Sequence, residues 1–222
     1  MKKFFFTLVG IIFLTGVKAQ EISVGLDFYN RYIFRGIDLG NSPSLQPSLE
    51  LNAGGLTMGA WGAYSTANGT QGAYNEVDLY LCYTFDFGFS LGLVSYYSPE
   101  LSLFEFDKGF SSHAVEINGA YTFKNLSFRA NYVINDSREG IGSKGGDTYF
   151  EIGYTTGIIN LFMGGGDGWN TKEGNFQLCN CGIGVSKELK LSDSFSLPLK
   201  GALIMNPNTE KLYLLVGLSF KI

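Results

Sequence analysis

Charged side chains make up only 16% of this 222-residue chain, histidine occurs once, and the cysteines number three. Each shortage excludes a class of protein. Soluble domains carry roughly 25% charged residues, so a composition this lean does not suit an ordinary water-facing surface. Lysine and arginine are neither abundant nor clustered, and the net charge is −4. The electrostatic footprint of a nucleic-acid-binding protein is therefore missing, and nucleic acid is not an expected partner. An odd set of cysteines, Cys82, Cys179 and Cys181, cannot close a full disulfide framework. Cys179 and Cys181 stand two apart on an expected strand, sharing a face with a backbone too stiff to bridge them, so all three read as small apolar side chains. With His113 the single imidazole, neither a metal nor a cofactor is implied. Beyond the first segment, no apolar run reaches the ~18 residues of a spanning helix.

That first segment is informative in its own right. Lys2 and Lys3 precede an apolar stretch from Phe4 to Val17, closed by Val17-Lys18-Ala19; this is the layout of an export signal cut after Ala19. No cysteine follows it, which argues against a lipid anchor. Residues 1–19 are read as signal peptide and 20–222 as one domain. The leader takes three of the 16 basic residues and none of the 20 acidic ones, leaving −7 on the mature domain. The chain is rich in glycine (30), phenylalanine (19) and tyrosine (13), and an exported chain of this kind without a spanning helix suggests a membrane barrel.

Period-two alternation dominates from Ile22 onward. Ile22, Val24, Leu26, Phe28, Tyr32 and Phe34 oppose Ser23, Gly25, Asp27, Tyr29, Arg31 and Arg35; Val77, Leu79, Leu81 and Tyr83 oppose Glu76, Asp78, Tyr80 and Cys82. Twelve such segments are expected, near 22–36, 44–53, 56–66, 74–86, 88–98, 112–123, 126–135, 147–156, 158–165, 176–187, 194–205 and 211–222. Tight turns such as Asn52-Ala53-Gly54-Gly55, Lys124-Asn125 and Thr156-Gly157 alternate with longer polar loops, as the short turns and long loops of a membrane barrel do. The fold class expected is all-β: a transmembrane, antiparallel, up-and-down β-barrel of about twelve strands.

A soluble barrel also alternates, but it turns its bulky face inward. Here aromatics on the apolar face gather at strand ends, with Tyr32, Phe34, Tyr64 and Tyr97 toward the loops and Phe85, Phe89, Phe123 and Phe195 toward the turns. Two such girdles mark the interfaces of a bilayer. Gly217-Leu218-Ser219-Phe220-Lys221-Ile222 ends the chain in alternating apolar residues, similar to the terminal signal that outer-membrane barrels present to their insertion machinery. The expected location is the outer membrane of a Gram-negative cell, and the expected partners are its lipid, that machinery and small solutes.

Tyr32-Ile33-Phe34-Arg35-Gly36 followed by Ser42-Pro43-Ser44-Leu45-Gln46-Pro47, then Gly59-Ala60-Trp61-Gly62, Glu76-Val77-Asp78-Leu79-Tyr80 and Tyr96-Tyr97-Ser98-Pro99-Glu100, resemble segments of the TorF family. The resemblance covers mainly the first half of the mature chain. It implies an outer-membrane barrel to which a pore role is ascribed, and it speaks to location and fold more than to substrate.

The residues that could carry function lie on the polar face. Asp27, Arg31, Arg35, Glu50, Trp61, Glu76, Asp78, Glu116, Arg129 and Glu151, joined by Lys200, are expected to line the lumen. They would either border an aqueous path that selects solutes by charge or pair with one another and fill the interior. A twelve-stranded barrel lies between the filled and the open sizes. Trp61, beside Gly59 and Ala63, is expected to fill space. An enzyme is not expected: Ser111 lies two residues before His113 and could reach it, but so common a pair carries no weight. The segment 99–111, with Leu101, Leu103, Phe104, Phe106 and Phe110, is apolar for a loop and is expected to fold inward as a constriction. The function expected is a narrow channel for passive diffusion of small solutes, and the alternative a filled structural or adhesive barrel.

Overall fold

The computed structural model describes residues 20–67, 73–137, 142–193 and 196–222. The expected leader, and Phe195 of the expected girdle, lie outside the described residues. The elements in chain order are β1 (Gln20–Tyr29), β2 (Ile33–Phe34), β3 (Ile37–Asp38), β4 (Ser44–Ala53), β5 (Leu56–Ser65), β6 (Asn75–Thr84), β7 (Phe89–Tyr97), β8 (His113–Phe123), β9 (Leu126–Val133), β10 (Thr148–Thr156), β11 (Ile159–Gly166), β12 (Gln177–Lys190), β13 (Ser196–Asn206) and β14 (Lys211–Lys221). β1 and β4 to β14 close into one antiparallel barrel of twelve strands, while β2 and β3 form a separate two-stranded hairpin. Closure is between β1 and β14, with Gly25 opposite Lys221 and Tyr29 opposite Gly217.

The alternation read from the sequence sets which side of the sheet is wet. Leu49 is 53% exposed on the outside, whereas Glu116 is 1% exposed within. Ile22, Val24, Leu26, Phe28, Leu79, Leu81, Leu91 and Leu93 share the outer face, and Ser23, Gln46, Glu76 and Asp78 are buried in the interior. In water each exposed large aliphatic side chain would forgo roughly 1.5–3 kcal/mol of burial, so this outer band calls for hydrocarbon around it. Hydrocarbon leaves no solvent for unpaired N–H and C=O groups, and only a closed sheet satisfies them all. At the short-turn end, Phe85, Phe87 and Phe89 stack on one another with centroids 5.4–6.2 Å apart.

Three sequence expectations are corrected. The first strand stops at Tyr29 instead of running to residue 36. Asn30 ends it: its Nδ2 donates to the Leu214 carbonyl at 3.0 Å and its Oδ1 accepts from the Val216 N–H at 2.8 Å. One side-chain amide thus replaces the next backbone partner of β14, and the chain is free to turn inward. Tyr32 and Phe34 therefore leave the expected lipid girdle and pack inside the barrel. Second, β11 and β12 carry a register shift at Gly164/Gly165, across which Gly164 pairs with Asn180 and Gly165 with Leu178. Cys179 is the additional residue of this bulge; it is fully buried, and it does not share a face with Cys181, which pairs with Met163. Third, the segment 99–111 does not fold inward: Leu103, Phe104, Phe106 and Phe110 are 44–65% exposed.

Candidate functional site

The loop joining β1 to β4, residues 30–43 and here L1, enters the barrel as the β2–β3 hairpin, with Ile33 opposite Asp38 and Phe34 opposite Ile37. Arg31 fastens its neck, donating from Nη1 to Asp38 and to Asn41. Arg31 was expected on the first strand facing the interior; it lies instead in L1, because the strand has already ended. The hairpin turns at Arg35 and Gly36, whose φ values are +49° and +81°. A Cβ on Gly36 would stand 2.1 Å from the Cys179 carbonyl oxygen, so only glycine allows the tip to seat against the β12 bulge. Asn206, itself 1% exposed, donates from Nδ2 to the Gly36 carbonyl at 3.0 Å.

That seating delivers Arg35 to Glu116 of β8. Nη2 donates to Oε1 at 2.7 Å and Nη1 to Oε2 at 2.8 Å, with the two side chains 9% and 1% exposed. The guanidinium carbon lies 4.6 Å from the Phe34 ring centroid and 4.4 Å from that of Tyr149. Glu116 also accepts from the Tyr96 hydroxyl at 3.0 Å, from Asn118 Nδ2 at 2.6 Å and from Asn131 Nδ2 at 2.7 Å. A buried ion pair is tolerable only when both charges are met in this way, because desolvation otherwise exceeds the attraction. Five residues, Phe34 of L1 and Tyr96, Asn118, Asn131 and Tyr149 of β7, β8, β9 and β10, thus converge on one pair.

Beside it, the Tyr32 ring packs on Trp61 with centroids 5.3 Å apart and on Tyr74 at 5.9 Å. Trp61 lies on β5 opposite Ser48 and Asp78, with its ring against that of Tyr32. Glu76 and Asp78, two apart on β6, are 5% and 7% exposed, and the hydroxyls of Tyr32 and Tyr74 lie next to Glu76. One oxygen of each acid, Glu76 Oε2 and Asp78 Oδ1, is buried without a hydrogen-bond partner. Phe34 continues the aromatic packing against Tyr96 and Trp169 at 5.7 and 6.2 Å.

The other expected lumen residues form looser groups. Glu50 accepts from Lys221 Nζ at 2.8 Å and from the Tyr80 hydroxyl at 3.0 Å. Asp27 meets Lys200 Nζ at 3.4 Å and the Ser219 hydroxyl. Glu151 accepts from the Tyr149 hydroxyl at 2.6 Å, and Arg129 stands 4.0 Å away with its side chain 64% exposed. Sequence reasoning missed the groups that surround the hairpin, namely Tyr32, Phe34, Tyr96, Tyr149 and Asn131. A signal was present in Asn30 and Gly36, a capping residue and a turn residue interrupting what reads as one strand.

His113 is not joined to Ser111 through its ring. Ser111 Oγ donates to the His113 carbonyl at 2.9 Å and accepts from its N–H at 3.1 Å. The imidazole lies 2.8 Å from Ser95 Oγ through Nδ1 and 2.9 Å from the Leu103 carbonyl through Nε2. Its faces stack against Tyr97 and Phe106 at 5.0 and 4.9 Å, and the residue is 4% exposed.

An inside-out sheet of twelve strands around a charged, loop-filled lumen defines an outer-membrane-type β-barrel. The chain belongs to the family described as "Bacterial protein of unknown function (Gcw_chp)", which matches residues 15–197; the TorF likeness is not what that match carries. No curated protein matches it. Among solved structures it is similar to a mutant porin of Rh. blastica (11% identity, TM-score 0.41, 81% of this chain and 55% of that one). It is similar also to the outer membrane phospholipase A of Escherichia coli (10% identity, TM-score 0.42, 91% and 90%) and to a Salmonella typhi outer membrane phospholipase dimer with bound calcium (14%, 0.38, 89% and 88%). The chain spans 55% of the length of that porin. Likeness this loose says nothing of activity, and the architecture rests on the strand register itself.

Proposed function

We propose that this chain is an outer-membrane conduit for small polar solutes, held constricted by its own L1 hairpin. One contrast carries the reading. Toward one end the lumen side chains meet water, with Arg129 64% and Lys221 63% exposed, whereas Arg35 and Glu116 are 9% and 1% exposed where the hairpin is seated. A wide general pore would leave Glu116 hydrated. A barrel meant only as a wall would have no need of charges along its interior, which polar solutes and water can use. Passage past the hairpin then requires the Arg35–Glu116 pair to yield, or passes only solutes small enough to slip beside it. Lipid contact and delivery by the barrel-insertion machinery follow from the same reading, and the lumen-lining residues act without a catalytic step.

Planar-bilayer recording tests this. The expected result is a small wild-type conductance that rises several-fold on deletion of residues 31–40 or in Arg35→Ala. If folded, heat-modifiable protein passes no current in any of these forms, the conduit reading is wrong. A second reading, a lipid-acting enzyme, has one observation in its favour: Ser95 Oγ is 2.8 Å from His113 Nδ1, on the face shared with Leu91 and Leu93. The stacked, doubly bonded imidazole suits a structural staple better than a general base. Esterase activity in detergent that disappears in Ser95→Ala would promote the enzyme.

A further inference from the structure

At the loop end, above the acid pair, lies a cavity of about 360 Å3 to which L1, the residues before β6, the residues after β7 and the turn after β11 all contribute. Its lining residues include the aromatics Phe34, Tyr74, Tyr96 and Trp169 and the acids Glu76 and Glu100. Two residues of this wall each hold a buried, unpartnered polar atom: Glu76, 5% exposed, its Oε2, and Trp169 its indole N–H. Asp78 Oδ1, just behind, is in the same condition. Among the described residues neither Glu76 nor Asp78 forms an ion pair, and Arg35, the nearby buried cation, is taken by Glu116.

Desolvated acids in this condition are expensive unless something positive or something that donates a hydrogen bond meets them. Aromatic faces supply the remainder of a recognisable chemistry, since ring quadrupoles attract ammonium and alkylammonium groups. A bare divalent metal fits less well, because hard cations ask for about six oxygen ligands in close array, and the described residues contain no group of three or more candidate ligands. The volume falls within the range of about 300–1,000 Å3 typical of small-molecule sites. We infer that this cavity binds a small organic ammonium compound that also bears a hydrogen-bond acceptor, its cationic head on Glu76 among the rings and its acceptor on the Trp169 N–H. Amino alcohols are the simplest members of the class. The inference does not depend on conduction: a closed barrel would hold the same ligand.

The test is a titration of the purified, folded full-length protein in detergent with ethanolamine and choline, followed by tryptophan fluorescence and by calorimetry. Saturable binding is expected, with a Kd on the order of 1 mM or tighter. Glu76→Gln should weaken it about tenfold or more, the loss expected when a charge-assisted hydrogen bond is removed. Trp169→Phe should erase the preference for ethanolamine over ethylamine while leaving ethylamine binding in place. Glucose and acetate should give no response. The idea is overturned if neither amine binds saturably to protein whose barrel is intact, if Glu76→Gln binds as well as the parent, or if magnesium chloride alone occupies the site more tightly than either amine. Nanodiscs of phosphatidylethanolamine that abolish the response to free ethanolamine, where phosphatidylglycerol nanodiscs do not, would identify a lipid headgroup as the source of the same chemistry.

Discussion

L1 and the loop between β7 and β8 leave the same end of the barrel, and both are rich in large apolar side chains. One is drawn into the lumen; the other stays outside. Tyr32 and Phe34 of L1 pack on Trp61, Tyr74, Tyr96 and Trp169, while Phe104, Phe106 and Phe110 are 63–65% exposed. Apolar content therefore does not decide where a loop goes. Directional anchors do: L1 has an arginine that completes a buried carboxylate, a glycine that fits a bulge, and a carbonyl that Asn206 holds. The outer loop is held instead to the barrel rim by the His113 imidazole against the Leu103 carbonyl and the Phe106 ring.

The largest effect that can test this contrast is at Arg35. Arg35→Ala leaves Glu116 buried at 1% exposure without its cation, a change that typically costs about 3–5 kcal/mol. The loss should show as a lower denaturant midpoint for the folded barrel and as rapid proteolysis of L1. The paired replacement Arg35→Met with Glu116→Leu should recover much of that loss, because no uncompensated charge remains. If the double variant is as unstable as the single one, the pair is not what seats the hairpin.

Next is the hairpin tip. Gly36→Val meets two obstacles together, a φ of +81° and a Cβ placed 2.1 Å from the Cys179 carbonyl oxygen. Forcing a β-branched residue into left-handed backbone costs about 1–3 kcal/mol before the contact is counted. L1 should leave the lumen, and a fluorophore at its tip should become accessible to aqueous quencher. Protection equal to that of the parent would contradict the docking.

The sequence discloses the barrel far better than it discloses the site. Eleven of the twelve expected segments fall within a few residues of β4 to β14, because a period-two pattern with an apolar outer face and glycine- or asparagine-bearing turns is a local signal that each strand carries alone. The error at residues 30–36 arose because Arg31, Tyr32, Ile33, Phe34 and Arg35 continue the same alternation inside a hairpin, which also has period two. The interior placement of Asp27, Glu50, Glu76, Asp78, Glu116, Arg129 and Glu151 was legible for the same reason as the strands. Which acid meets which base was not, since Arg35 and Glu116 are 81 residues apart and come together through barrel closure. The Cys179 bulge breaks period two by a single residue, too little to stand out among glycines at 164–166 and 182.

His113 should give a smaller effect, and one of the opposite kind. His113→Ala removes two side-chain hydrogen bonds and two ring contacts, the two hydrogen bonds worth about 1–2 kcal/mol together. It should loosen the outer loop, seen as faster hydrogen exchange across residues 101–112, without changing the protection of L1. Equal loosening of L1 would show that the two loops form one unit, and the contrast between them would lose its basis.

Phe110→Ser should do least to stability. The ring is 63% exposed, and surface replacements away from anchors usually fall within about 0.5 kcal/mol of the parent. The same exchange at Phe34, whose ring is wedged between Tyr96 and Trp169 beside the guanidinium of Arg35, belongs to the class of core truncations that cost about 3–5 kcal/mol. The two phenylalanines share one side-chain chemistry and differ in which loop carries them, so the ratio of their effects compares the inner loop with the outer one. Denaturant midpoints for Phe110→Ser and Phe34→Ser in one detergent give that ratio directly. Similar losses for the two would mean that the outer loop is as firmly packed as the inner one, and that its exposed rings are held by the barrel in a way their exposure does not suggest.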